Sequence, residues 1–215
     1  MPSAVILYYT SNREDPAFEC RVQDNILSVT DLPIISISQE PIEFGENICV
    51  GDVGTSGFNM FRQVQIGLGA TDADFIISAE ADCLYPPDYF TFRPPTIWCW
   101  QNSNLYVMGD HRRVFWKKPE GATHAQVVGR EYYLDVLDRL FEGAPEWSTE
   151  EKNFPKERHR KADVWDKISY WETDAPVVQI KTHRGMRYYT HSDRIDRESI
   201  PHWGDGRKLR KRMCG

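Results

Sequence analysis

Two carboxylates, Glu80 and Asp82, follow a short apolar run in the stretch Phe75-Ile76-Ile77-Ser78-Ala79-Glu80-Ala81-Asp82-Cys83-Leu84-Tyr85-Pro86. On a strand, side chains two residues apart point the same way, and the chain bends immediately after these. Such a pair holds a hard divalent cation through oxygen and leaves further coordination positions to water or phosphate. The alternative is that the two acids merely end a strand and start a turn.

Chemistry at the end of one strand needs neighbours that end at the same edge. Ala4 to Tyr9 is a continuous apolar run stopped by Thr10-Ser11-Asn12-Arg13, which reads as a central parallel strand. Glu14-Asp15-Pro16 then opens a helix to about Ser28, with acids in its first turn and a proline near its start. A second strand spans Ile34 to Ser38, Gly45 to Gly57 reads as a glycine-rich loop, and Phe58 to Leu68 has helical apolar spacing. Strands alternating with helices predict a parallel sheet. Ligands of such sheets bind beyond the carboxyl ends of the strands, here Thr10–Arg13, Ser38–Gln39 and Glu80–Asp82.

The later chain is less regular. Trp98-Cys99-Trp100 and Tyr106-Val107-Met108 read as a hairpin, Arg130 to Phe141 as an amphipathic helix, Gly143 to Asp163 as a charged loop, and Val177 to Lys181 as a last strand.

The acid-terminated strand, the helix carrying Arg62-Gln63 and the first strand ending in Thr10-Ser11-Asn12-Arg13 together resemble GT-A glycosyltransferases of the family 2 kind. The run from Leu32 to Phe90 is similar to small enzymes of this kind from phage and environmental sequences. The resemblance is good over about residues 4–110 and loose beyond; Glu80 stands where the family's first aspartate is usual, and Cys83 where an extra acid is common.

It implies a GT-A fold, which is Rossmann-like α/β with a mostly parallel central sheet flanked by helices, followed by a less regular basic C-terminal part. Residues 1–110 would be the donor-binding half and 111–215 the acceptor-side half of one domain. The implied activity is transfer of a hexose or pentose from a nucleotide diphosphate sugar such as a UDP-sugar, helped by Mn²⁺ or Mg²⁺. Thr10, Asn12 and Gln39 would line the base and ribose, and Arg62 and Gln63 would approach the ribose or diphosphate. Asp82 would bind the metal and Glu80 the metal or ribose. His183, after the last strand, would return to the metal, and Arg184 and Arg187 would neutralise the diphosphate. An inverting transfer needs a carboxylate base; Glu131, Glu151, Glu157 and Asp163 are open choices, and a retaining enzyme needs none.

Charge divides the chain. Of 26 Lys and Arg residues, four (Arg13, Arg21, Arg62, Arg93) lie in the first hundred, which hold fourteen of the 32 acids and no lysine. The second part is basic in three clusters: Arg112, Arg113, Lys117 and Lys118 around Phe115-Trp116; Arg158, Arg160 and Lys161; and Arg207, Lys208, Arg210, Lys211 and Arg212 in a basic tail, 206–215. Cations interleaved with aromatics suit phosphate contact and base stacking, which points to a nucleic-acid acceptor; the likeness to phage sequences implies DNA carrying hydroxymethylated bases as one acceptor, beside a saccharide or lipid. Two other readings stay open: a nucleotidyltransferase, which the lack of early lysine disfavours, and a non-catalytic nucleic-acid-binding protein with a relic α/β half. Five scattered cysteines without a CxxC predict neither a disulfide framework nor a structural zinc site. The N-terminus reads as no signal peptide and no window as a membrane span, so the expected location is cytoplasmic.

Overall fold

A computed structural model describes residues 2–109, 121–150, 164–182, 184 and 199–215, together with the backbone of 115–117 and 193–195. In chain order the strands are β1 (Ala4–Tyr9), β2 (Ile34–Ser38), β3 (Glu46–Cys49), β4 (Phe75–Glu80), β5 (Cys83–Leu84), β6 (Cys99–Asn102), β7 (Leu105–Met108), β8 (Phe115–Lys117), β9 (Gln126–Gly129), β10 (Ile168–Trp171), β11 (Val177–Ile180), β12 (Asp193–Ile195), β13 (Ser199–Ile200) and β14 (Gly204–Asp205). The helices are α1 (Pro16–Val29), α2 (Gly57–Gly69), α3 (Pro87–Thr91), α4 (Arg130–Phe141) and α5 (Gly206–Cys214).

Seven strands form the central sheet in the order β10-β6-β9-β4-β1-β2-β3. All run in one direction except β9, which is antiparallel to both neighbours. The expected α/β class, mostly parallel and flanked by helices, is the one observed. β1 is buried at all six positions, as a strand covered on both faces must be. Its alternation sorts the core into two layers. Val5, Leu7 and Tyr9 face α2 and α4, whereas Ala4, Ile6 and Tyr8 face α1, α5 and a second sheet. That second sheet has the order β12-β8-β7-β11-β5.

Local chemistry sets the helix ends. Asp15 caps α1, its carboxylate accepting from the N–H groups of Ala17 and Phe18, and Ser56 caps α2 by accepting from Asn59 N at 2.9 Å. α2 lies close on the sheet at Gly67, where any side chain would run into Leu7 and Ile37.

Two expectations are corrected. The stretch Gly45–Gly57 is not all loop, because β3 within it pairs in parallel with β2 and closes the sheet's edge. Trp98–Trp100 and Tyr106–Met108 are not a hairpin. Asn102 and Asn104 bond Thr173 at 2.9 and 2.8 Å, which turns the chain from β6 in the central sheet to β7 in the second. The basic tail is a helix, α5, because Leu209 and Met213, one turn apart, bury against α1. Among the described residues no helix is long and apolar enough to cross a membrane.

Candidate functional site

β1 pairs with β2 on one side and β4 on the other, so the strand order reverses beside β1, the place where a crevice opens beyond the carboxyl ends. Four expected residues line this end, and most of their polar groups are bonded to backbone. Thr10 is buried, its hydroxyl oxygen accepting from Asn12 N at 3.0 Å and its own N–H bonding Ile37 O. Asn12 adopts φ 53°, a left-handed conformation that asparagine tolerates. Its Oδ1 accepts from Gln39 N and Glu40 N at 2.8 and 2.9 Å, clamping the ends of β1 and β2 together. Gln39 Nε2 donates to Gly54 O at 2.9 Å, and Gln63 Nε2 reaches up from α2 to Thr10 O at 2.9 Å. These side chains build the floor of the crevice.

Arg62, the neighbour of Gln63, points elsewhere. A helix turns about 100° per residue, and its guanidinium lies 3.8 Å from the centre of the Phe141 ring on α4 and donates to Pro145 O and Gln65 Oε1. It is not brought together with Glu80 or Asp82.

The acid pair itself is divided. β4 ends at Glu80, and within two residues the chain passes to the second sheet, where Cys83 and Leu84 pair antiparallel with β11. Strand alternation therefore stops between the two acids. Glu80 sits opposite Tyr9 in register and accepts from its hydroxyl at 3.0 Å, on the layer of α2 and α4. Asp82 meets β11 instead. Gln179 Nε2 donates to its two oxygens at 3.2 and 3.0 Å, and Lys181 Nζ stands 3.6 Å from Oδ2. The turn is fixed by Tyr85, whose hydroxyl accepts from Glu80 N at 2.9 Å and donates to His124 O at 2.7 Å.

Two more acids, unassigned in the sequence, approach the same place from the start of α1. Glu14 is buried and accepts from the Thr182 hydroxyl at 2.6 Å; burial pushes its carboxyl up from the ordinary value, with Thr182 opposing and Asp82 adding to the rise. Glu19 is buried too and raised chiefly by burial, while the Tyr8 hydroxyl donates to it at 2.8 Å. Burial likewise raises the Cys83 thiol well above its usual range, Asp82 and Glu80 adding to it. A signal for Gln179 and Lys181 was present: polar residues at alternate positions of an otherwise apolar strand share one face. By sequence alone Glu14 is only an acid that opens a helix.

Arg184 lies at the mouth, 3.7 Å from Asp15 Oδ2, with both side chains about half exposed. His183 and Arg187 lie outside the described residues, as do Glu151, Glu157, Asp163, Arg112, Arg113, Lys118, Arg158, Arg160 and Lys161; of Lys117 only the backbone is described. Glu131 is described and is not brought to the crevice. β9 runs against β4 and pairs Gly129 with Phe75, so α4 begins at the opposite end of β4 from Glu80. Of the expected metal ligands only Glu80 and Asp82 are described, and they turn to different partners. No three His, Cys, Asp or Glu side chains among the described residues come together, Glu80 is turned to Tyr9, and Asp82 already faces an ammonium.

No protein-family model matches the sequence, and no curated protein matches it. Among solved structures, S. aureus TarS 1–349 in complex with UDP-GlcNAc aligns with a TM-score of 0.53 at 11% identity, covering 87% of this chain and 62% of that one. The bifunctional IspDF of Campylobacter jejuni aligns at 0.45 and 11%, covering 80% and 50%. The chain thus spans between half and two thirds of the length of these neighbours. At such identity the likeness to TarS is one of fold.

Proposed function

We propose that the protein transfers a sugar from a nucleotide diphosphate sugar to an acceptor hydroxyl. The observation that carries this reading is the crevice beyond β1 and β4. It has a braced polar floor on one side and the Asp82, Gln179 and Lys181 group on the other, in a fold shared with a protein solved in complex with UDP-GlcNAc. Residues 1–110 supply the donor side and much of 111–215 the acceptor side. In the transfer an acceptor oxygen bonds to the anomeric carbon, and the bond from that carbon to the diphosphate breaks. The electron pair stays on the diphosphate, and the hydroxyl proton passes to a base. Charge therefore develops on the departing diphosphate, where fixed positive groups lower the barrier.

The acceptor we propose is a hydroxymethylated base in DNA. The modified base is what the likeness to phage sequences implies, and support for a polyanion is the outward face of α5, where Arg207, Lys208, Lys211 and Arg212 are all exposed while Leu209 and Met213 point inward. Cations on one face suit a row of phosphates. Incubation with a panel of nucleotide sugars, with EDTA or with Mn²⁺ or Mg²⁺, should release nucleoside diphosphate; no release from any donor in any condition overturns the proposal. Mass spectrometry of hydroxymethylated DNA, unmodified DNA, oligosaccharide and lipid offered together should find the hexose or pentose on the first. Sugar found only on a saccharide or lipid rejects the DNA acceptor and keeps the transferase.

A further inference from the structure

Resting on the nucleotide-sugar reading, we propose that Lys181 supplies the positive charge that meets the donor diphosphate, in the place where a divalent cation was expected. A lysine as little exposed as 11% is uncommon without a partner, and its partner is Asp82. Asp82 does not depend on it for hydrogen bonding, because both carboxylate oxygens already accept from Gln179. The separation of 3.6 Å exceeds the roughly 2.7–2.9 Å of a close charge-assisted hydrogen bond. An ammonium carries three N–H donors, so Lys181 can hold Asp82 and offer the rest to phosphate oxygens.

The backbone holds the lysine in place. Lys181 N donates to Met108 O at 2.8 Å, and Arg210 of α5 donates to Lys181 O and Gly109 O at 3.3 and 3.0 Å. Of the four cations in residues 1–110, three are already engaged. Arg21, Arg62 and Arg93 bond carbonyl oxygens of Met213, Pro145 and Phe90, and Arg13 is exposed. A divalent ion on Asp82 would share its space with the ammonium and find Glu80 bonded to Tyr9.

The test is calorimetric binding of UDP and of uridine, in EDTA and in Mn²⁺, with circular dichroism to confirm the fold of each variant. The wild-type chain should bind UDP in EDTA, and Mn²⁺ should change that affinity little. Lys181→Gln should weaken UDP binding about ten- to hundredfold, the worth of a hydrogen bond to a charged group. Uridine binding should stay as it was, which a merely structural lysine would not predict, and Lys181→Arg should recover part of the loss. UDP binding that requires Mn²⁺ and is unmoved in Lys181→Gln overturns this inference and leaves the transferase reading standing. If neither UDP nor any other nucleoside diphosphate binds in either condition, the nucleotide reading fails and this inference with it.

Discussion

The two faces of the central sheet handle polar groups differently. On the face of α2 and α4, Asn12, Gln39, Asn59 and Gln63 spend their amides on backbone groups of loops and strand ends, beside the side-chain pairs Tyr9–Glu80 and Gln65–Asp138. On the face of α1 and the second sheet, side chains meet side chains from remote parts of the chain: Asp82 with Gln179, 97 residues on, and Glu14 with Thr182, 168 residues on. A polar group bonded to nearby backbone holds a frame in shape. Charged groups gathered from distant elements cost solvation that the fold alone does not need, and that is where a ligand is expected to repay it. Glu80 and Asp82, two residues apart, fall on either side of this division.

The division can be broken experimentally. Ending the chain at Asp205 removes Leu209 and Met213 from the α1 layer and Arg210 from Lys181 O. At about 1.5–3 kcal/mol for each buried side chain, urea unfolding should show a loss of about 3–6 kcal/mol, with donor turnover falling too. Replacing Arg207, Lys208, Lys211 and Arg212 by Gln should leave stability within about 0.5 kcal/mol per site and lower DNA retention on a salt gradient. Equal loss of stability in both variants would mean that the outward face is structural.

Lys181→Gln should cut turnover about 10²–10³-fold, whereas Glu80→Gln, which still accepts from Tyr9, should cost less than about tenfold. Steady-state kinetics in which Glu80 proves the more costly would erase the distinction between the faces. Asn12→Ala removes two acceptor bonds and strains a positive φ; thermal unfolding should report about 1–3 kcal/mol of lost stability. Asn12→Gly should recover the strain but not the bonds.

The smallest effect concerns Glu19. Its folded pKa is raised above the ordinary 4.5, so the stability it contributes is fully present below that value and lost as pH rises through the raised one. Glu19→Gln, which still accepts from Tyr8, should therefore be more stable than the parent at neutral pH, and the advantage should vanish in acid. Denaturant midpoints measured across this range check the sign; a variant less stable at pH 7 than the parent contradicts it.

Where local pattern suffices, the sequence was readable. The apolar runs of β1, β2 and β4, the capped helices and the crevice beyond their ends all follow from neighbours in the chain. What escaped depended on long-range placement. Nothing local to Trp98–Met108 says that β6 and β7 join different sheets, since Thr173 decides it. Nothing near Glu80 and Asp82 says that the chain changes sheets between them, since β11 decides it. The α5 stripe was visible as charge, but its two inward residues needed α1 to become a face.

The antiparallel strand β9 has a consequence for how the chain is made. β4 is central only because β9 covers its outer edge, and about 45 residues separate Glu80 from Gln126. At about 5–20 residues per second, a ribosome needs about 2–9 s to supply that cover. For this interval a newly made β4 presents bare N–H and C=O groups on an apolar strand, the edge that invites pairing with another chain. A nascent chain stalled before residue 126 should therefore be markedly more prone to aggregate than one released after residue 129, and the protection should come from β9 rather than from anything at the crevice.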